Sequence, residues 1–353
     1  MSLTVLSVSY PLAPVGPDAV GGAEQILSAL DAGLVAAGHR SIVVAPEGSE
    51  IAGIRVATPP LPAHIDDAVR RRAEAAHRRA IREAIARWPV DLIHAHGLDF
   101  AEHLPRDGPP ALVTLHLPAS FYPPAALAEA GPETWFNCVS ASQHGTFSTS
   151  SKLLEPIPNG VPFNRLQARF ARRDFVLVLG RVCPEKGIHL ALDAAVLAGV
   201  PALVAGRVFP YPAHRQYFDC EIAPRLGPNA RFLGGVGFAR KRRLLTAARC
   251  LLVPSLVPET SSLVAMEALA CGTPVVAFPA GALPEIVEHG MTGFLVEDVK
   301  GMAAAVARAD RIDRERCRDI ARRRFSLDAM VRRYFGVYQQ LARRSHEAVG
   351  ASP

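Results

Sequence analysis

Lysine is scarce in this chain of 353 residues: among 39 basic side chains, only Lys152, Lys186, Lys241 and Lys300 are lysines. Arginine carries the rest, and the net charge of +6 is too small an excess to imply a polyanionic partner, so no nucleic acid is expected. The arginine-rich clusters at 70–72, 240–243 and 322–324 could meet an anionic membrane. However, the apolar stripe of the helix expected over 66–88 is mostly alanine where a membrane-seeking face would show Leu, Phe and Trp. Peripheral membrane contact is therefore the weaker reading. The six cysteines, Cys138, Cys183, Cys220, Cys250, Cys271 and Cys317, form no Cys-x-x-Cys pair and no zinc-type spacing with histidine. They read as buried small hydrophobes in a reducing compartment, and the expected location is cytoplasmic. No uninterrupted apolar run is long enough to span a bilayer: Leu263–Ile286 carries Glu267 and is broken by Gly272 and Pro274. The N-terminal apolar run is short and has no basic flank, so it reads as a first strand and not as a signal peptide. No Gly-x-Gly-x-x-Gly is present, which argues against a dinucleotide cofactor.

What is present is strand and helix alternation. With 49% hydrophobic and 20% charged residues, the chain can fill generous cores, and its length suggests two domains. Apolar runs at 3–9, 41–45, 91–94, 111–115 and 136–139 read as strands of one parallel sheet, with a helix opening at Gly21-Gly22. The proline-rich stretch Pro156-Ile157-Pro158-Asn159-Gly160-Val161-Pro162 reads as a linker. Beyond it, strands are expected at 175–179, 202–205, 230–233, 250–254, 274–278 and 293–296, followed by a basic helical tail from residue 313. The expected division is 1–160, 161–312 and a tail, 313–353, packing along the outside of both domains. Ligands of parallel sheets sit beyond the carboxyl ends of the strands, so the chemistry is expected in those loops and in the cleft between the domains.

Two stretches carry it. Pro258-Glu259-Thr260-Ser261-Ser262-Leu263 follows a strand and opens a helix, whose free N–H groups near Ser261, Ser262 and Leu263 suit an anion. Glu259 and Glu267 are too far apart to share a proton, so they must do different jobs; each could also be a helix-end or helix-surface carboxylate. Gly180-Arg181-Val182-Cys183-Pro184-Glu185-Lys186-Gly187 again lies between a strand and a helix, and places two cations where a diphosphate could be held.

Together with Gly21-Gly22-Ala23-Glu24, His94-Ala95-His96-Gly97, the strand ending at His116 and Pro158-Asn159-Gly160-Val161, these stretches resemble the retaining glycosyltransferases of family 4. The resemblance covers nearly the whole chain. It implies the α/β GT-B fold: two Rossmann-like doubly wound domains facing across a cleft, with a C-terminal helical tail. It further implies that Arg181 and Lys186 hold the diphosphate of a nucleotide-sugar donor, most often a UDP-sugar. Glu267 would accept from the ribose hydroxyls and Glu259 from those of the sugar. Gly21 and Gly22 would bring backbone N–H groups to the diphosphate, His116 would border the reacting carbon, and residues 232–236 would pass near the base. No cofactor and no metal are expected, the donor being a substrate. The acceptor, whether small molecule, glycan or lipid-linked, is not indicated. Where many members of the family have Pro-Phe-Gly after the first glutamate, this chain has Thr260-Ser261-Ser262. A nucleotide-sugar epimerase of the same fold and a noncatalytic sugar-nucleotide binder are the rival readings.

Overall fold

A computed structural model describes residues 2–62, 65–148 and 150–350, with side chains to residue 344. The last residues of the expected tail, 351–353, lie outside the described residues. The chain forms two compact units: unit 1 comprises residues 1–158 and 328–353, and unit 2 comprises 159–327.

In unit 1, strands β1 (Thr4–Val8), β2 (Arg40–Pro46), β3 (Ile54–Thr58), β4 (Leu92–Ala95), β5 (Ala111–Leu115), β6 (Thr134–Cys138) and β7 (Leu153–Leu154) form one sheet. Its order is β3-β2-β1-β4-β5-β6-β7. Every pairing is parallel, and β1, β4 and β5 are buried along their whole length, as strands covered by helices on both faces must be. In unit 2, β8 (Val176–Leu179), β9 (Ala202–Ala205), β10 (Ala230–Phe232), β11 (Cys250–Val253), β12 (Val275–Ala277) and β13 (Gly293–Leu295) take the order β10-β9-β8-β11-β12-β13. Both sheets are doubly wound. The strand order reverses between β1 and β4 in unit 1 and between β8 and β11 in unit 2, and the loops that follow these strands flank the crevice such sheets use for ligands.

Three expectations need correction. The strands β3 and β7 are not among those expected; they stand at the two edges of the sheet. β7 is only two residues long, and the side chains of β3 are largely exposed, so its Ile-Arg-Val-Ala-Thr sequence lacks the apolar run of its neighbours. Cys220 is exposed, unlike the other five cysteines. The tail also does more than cover surfaces. Its first helix, Arg314–Arg324, belongs to unit 2, whereas the last, Leu327–Gly350, joins unit 1 almost entirely. Met330, Tyr334, Tyr338 and Leu341, spaced to fall on one helical face, are 0–2% exposed, so this helix is part of the core of unit 1.

Candidate functional site

In unit 2, β8 ends at Leu179 and the chain turns through Gly180 and the exposed Arg181 into a short 3-10 turn, Pro184–Lys186. Gly187 closes that turn at φ +59°, and a side chain there would collide with the Pro254 carbonyl beyond β11. The loop after β8 is thereby pressed against the loop after β11, and Leu256 N–H donates to the Glu185 carbonyl at 2.8 Å. The consequence is an ion pair across the two loops: Lys186 Nζ lies 2.6 Å from Glu259 Oε1, and the same oxygen accepts from Ser255 Oγ. The backbone of Glu259 is fixed as well, its carbonyl accepting from Ala282 N–H at 2.7 Å.

The helix after Glu259 is regular only over Leu263–Ala270. Ser262 stands at its N-cap, 4% exposed, but its hydroxyl does not cap the helix. The Ser261 hydroxyl is buried without a hydrogen-bond partner among the described residues. The first turn therefore keeps donor capacity beside Lys186, as an anion site requires. Glu267 is not a surface residue: it is 3% exposed, and its Oε1 lies 2.5 Å from Lys241 Nζ. Lys241 comes from the helix Phe238–Ala247, inside one of the basic clusters. It is the residue that sequence reasoning missed, and the one available signal was a lysine standing alone among arginines. Two of the few lysines of this chain thus pair with the two glutamates of the motif.

In unit 1, Gly21 is the N-cap of the helix Gly22–Ala36, again with no side-chain cap. A Cβ on Gly21 would meet the Glu24 carboxylate, so an acidic side chain lies against this half-buried helix start. His116 is half-buried just past β5. Its backbone N–H and that of Leu117 both donate to the Tyr122 hydroxyl, at 3.0 and 3.2 Å. Gln143 Nε2 donates to the carbonyls of Leu115 and Leu117 on either side. The His116 loop is thus fixed from two directions. Burial holds the imidazole down to about 4, so His116 is neutral near pH 7.

One group of metal-ligating side chains comes together among the described residues: Cys183, Glu185 and His214, with ligand atoms within 4.8 Å of one another. Burial pushes the Cys183 thiol up to about 11, which keeps it protonated, and Arg181 acts electrostatically on all three. A cation there would meet a fixed positive charge. No helix of the described residues is long and apolar enough to cross a membrane.

Residues 20–165 match the family described as Glycosyltransferase Family 4, and residues 173–309 match that described as Glycosyl transferases group 1. A D-inositol 3-phosphate glycosyltransferase of Mycolicibacterium paratuberculosis is 39% identical over 140 residues, covering 38% of this chain and 32% of that protein. The match thus spans about a third of the length of such curated relatives. Among solved structures, sucrose-phosphate synthase from Thermosynechococcus elongatus has a TM-score of 0.78 at 21% identity, over 96% of this chain and 99% of that one. The Anabaena protein HepE, solved in complex with UDP-glucose, has a TM-score of 0.70 at 21% identity, over 98% and 100%. At these identities the likeness establishes the two-sheet GT-B fold.

Proposed function

We propose, because the chain belongs to glycosyltransferase family 4, that it moves a sugar from a nucleotide-diphosphate sugar to an acceptor hydroxyl with the anomeric configuration retained. The observation that carries this reading is the pairing of Lys186 with Glu259 and of Lys241 with Glu267 around the uncapped start of the helix Leu263–Ala270. Two carboxylates held at separate ends of an anion-binding helix start fit an elongated ligand, with a diphosphate in the middle and hydroxyl-bearing rings at both ends. A UDP-sugar is the first donor to test, since HepE was solved with UDP-glucose.

In this reading Arg181, Lys186 and the N–H groups near Ser261, Ser262 and Leu263 bind the diphosphate. When it arrives, the Lys186 ammonium gives up its place on Glu259 for phosphate oxygens, and Glu259 is released to accept from sugar hydroxyls. Glu267 accepts from the ribose, with Lys241 orienting its carboxylate. For unit 1, the reading keeps the Gly21-Gly22 backbone on the diphosphate and His116 beside the reacting sugar carbon, as the family resemblance implies. Charge grows on the departing diphosphate as the glycosidic bond breaks, so cations that bind it more strongly in the transition state than in the ground state raise turnover itself. These groups do the work that a divalent ion does elsewhere, and turnover is expected to survive EDTA.

Calorimetry with UDP, and turnover with UDP-sugars and an acceptor panel, test the proposal. Glu267→Ala should weaken UDP by about 1.5–3 kcal/mol, the range for hydrogen bonds to a charged group. Lys186→Ala should lower turnover by roughly two to three powers of ten, by analogy with loss of one preorganised donor to a developing anion. The proton coupling at the new linkage should show the donor's anomeric configuration. An inverted product would overturn the mechanism, and interconversion of the donor with no acceptor present would identify an epimerase instead.

A further inference from the structure

The imidazole of His116 is held by another imidazole. His96, just past β4, places its Nδ1 3.0 Å from His116 Nε2, and the two rings stack with centroids 5.3 Å apart. His96 is 4% exposed, and its Nε2 is buried with no hydrogen-bond partner among the described residues. Burial opposes the charged form of both rings. A neutral imidazole has one N–H and one bare nitrogen, so two proton arrangements are open. In the first, His96 Nδ1–H donates to a bare His116 Nε2, and His116 carries its own proton on Nδ1. In the second, His116 Nε2–H donates to a bare His96 Nδ1. His96 must then carry its proton on Nε2, in the interior, with nothing to receive it. Buried N–H donors are rarely left orphaned, and an under-used acceptor is better tolerated. The first arrangement wins.

The neighbouring network settles by the same counting. Thr114 O–H donates to Asn137 Oδ1 at 2.8 Å, which uses its single proton, so Thr114 Oγ1 accepts from His94 Nε2–H, also at 2.8 Å. His94 Nδ1 is then bare and accepts from the Tyr338 hydroxyl at 2.7 Å. His94 packs on His96 with centroids 4.0 Å apart, so the ring that holds His116 rests on one whose proton is fixed by Thr114 and Asn137 and whose bare nitrogen is filled by Tyr338 of the C-terminal helix.

We infer that His96 is a positioning residue: as the Nδ1–H tautomer it holds His116 in the Nδ1–H form, making His116 a neutral hydrogen-bond donor at Nδ1 and not a base at that atom. The catalytic meaning rests on the role proposed for His116 above; the proton assignment does not, and the two can fail separately. The test is a long-range proton–nitrogen NMR correlation on the full chain labelled with ¹⁵N-histidine at neutral pH. His96 and His116 should each show a protonated-type Nδ1 and a bare-type Nε2, and His94 the reverse. His96→Asn, which keeps a side-chain N–H near the Nδ1 position, should preserve the His116 pattern. His96→Asp, which puts a carboxylate acceptor where the Nδ1–H donor stood, should bring a proton to His116 Nε2. A protonated Nε2 on His116 in the unaltered protein overturns the inference by itself, whether or not a variant folds. An unchanged His116 pattern in a folded His96→Asp protein overturns it too. A spectrum as expected, in a protein that transfers no sugar, would overturn the functional reading alone.

Discussion

The two units share a winding order but differ in what they bury beneath the loops. Unit 2 keeps its charged machinery as ion pairs in the loops and helices that follow its strands, Lys186 with Glu259 and Lys241 with Glu267, and the polar side chains buried beneath them, such as Thr246, Thr273 and Thr292, include no imidazole among the described residues. Unit 1 buries neutral polar groups inside the sheet: His94, Thr114 and Asn137 on adjacent strands, closed by Tyr334 and Tyr338. Ion pairs tolerate protons until their carboxylates titrate, whereas neutral buried imidazoles are stable only while they stay neutral. The same fold is therefore protected against acid in one half and exposed to it in the other.

Acidification should separate the units most. His77 is held down to about 4, by burial first and then by His103 nearby, and His116 to about 4 by burial. Burial also lowers His94 and His96. An unfolded chain binds these protons near pH 6.5, so between 6.5 and 4 the unfolded state holds more protons than the folded one and acid removes stability. The contribution is complete above about pH 6.5 and is lost as the pH falls toward 4, at roughly 3 kcal/mol for each of His77 and His116. In unit 2 the shifted histidines, His189 and His214, are part-exposed. Both tryptophans, Trp88 and Trp135, lie in unit 1, so tryptophan emission during urea unfolding reads that unit. Its midpoint should drop steeply over this window; a flat midpoint would erase the contrast.

The converse lesion is Lys241→Met, which strips the buried Glu267 of its cation. Breaking a buried pair from one side costs about 3–5 kcal/mol, and replacing both partners with apolar groups recovers much of it. Far-UV circular dichroism should show unit 2 weakened while the tryptophan midpoint stays in place, and Lys241→Met with Glu267→Leu should restore most of the loss. A tryptophan midpoint that moves with Lys241→Met would mean that the units do not unfold separately. The smallest effect belongs to Tyr338→Phe, which removes one buried hydrogen bond to His94. It should lower the tryptophan midpoint by the equivalent of about 1 kcal/mol, and no change would show that the C-terminal helix is held by packing alone.

The same contrast decides what was legible in the sequence. Arg181, Lys186 and Glu259 stand in loops after apolar runs and Glu267 inside the helix that follows; each alone reads equally as a surface charge, and it was their combination, with the family resemblance it carries, that singled them out. Lys241 was hidden because its partner lies 26 residues away and its neighbours are arginines. The His96 to His116 contact joins the ends of adjacent strands β4 and β5; it depends on register, which a single sequence does not disclose. The alternation that revealed most strands failed at β3 and β7, where the edge position reduces the burial that makes a strand readable.

Unit 2 occupies residues 159–327, between the two segments of unit 1, and this order bears on biosynthesis. At about 5–20 residues per second, the ribosome needs on the order of ten seconds or more to travel from the end of the first segment to Tyr334 and Tyr338. During that interval unit 2 can finish folding, while His94, Thr114 and Asn137 wait in a sheet that lacks its closing hydroxyls. The half made first is completed last, and a nascent chain stalled before residue 334 would present its polar sheet interior to chaperones.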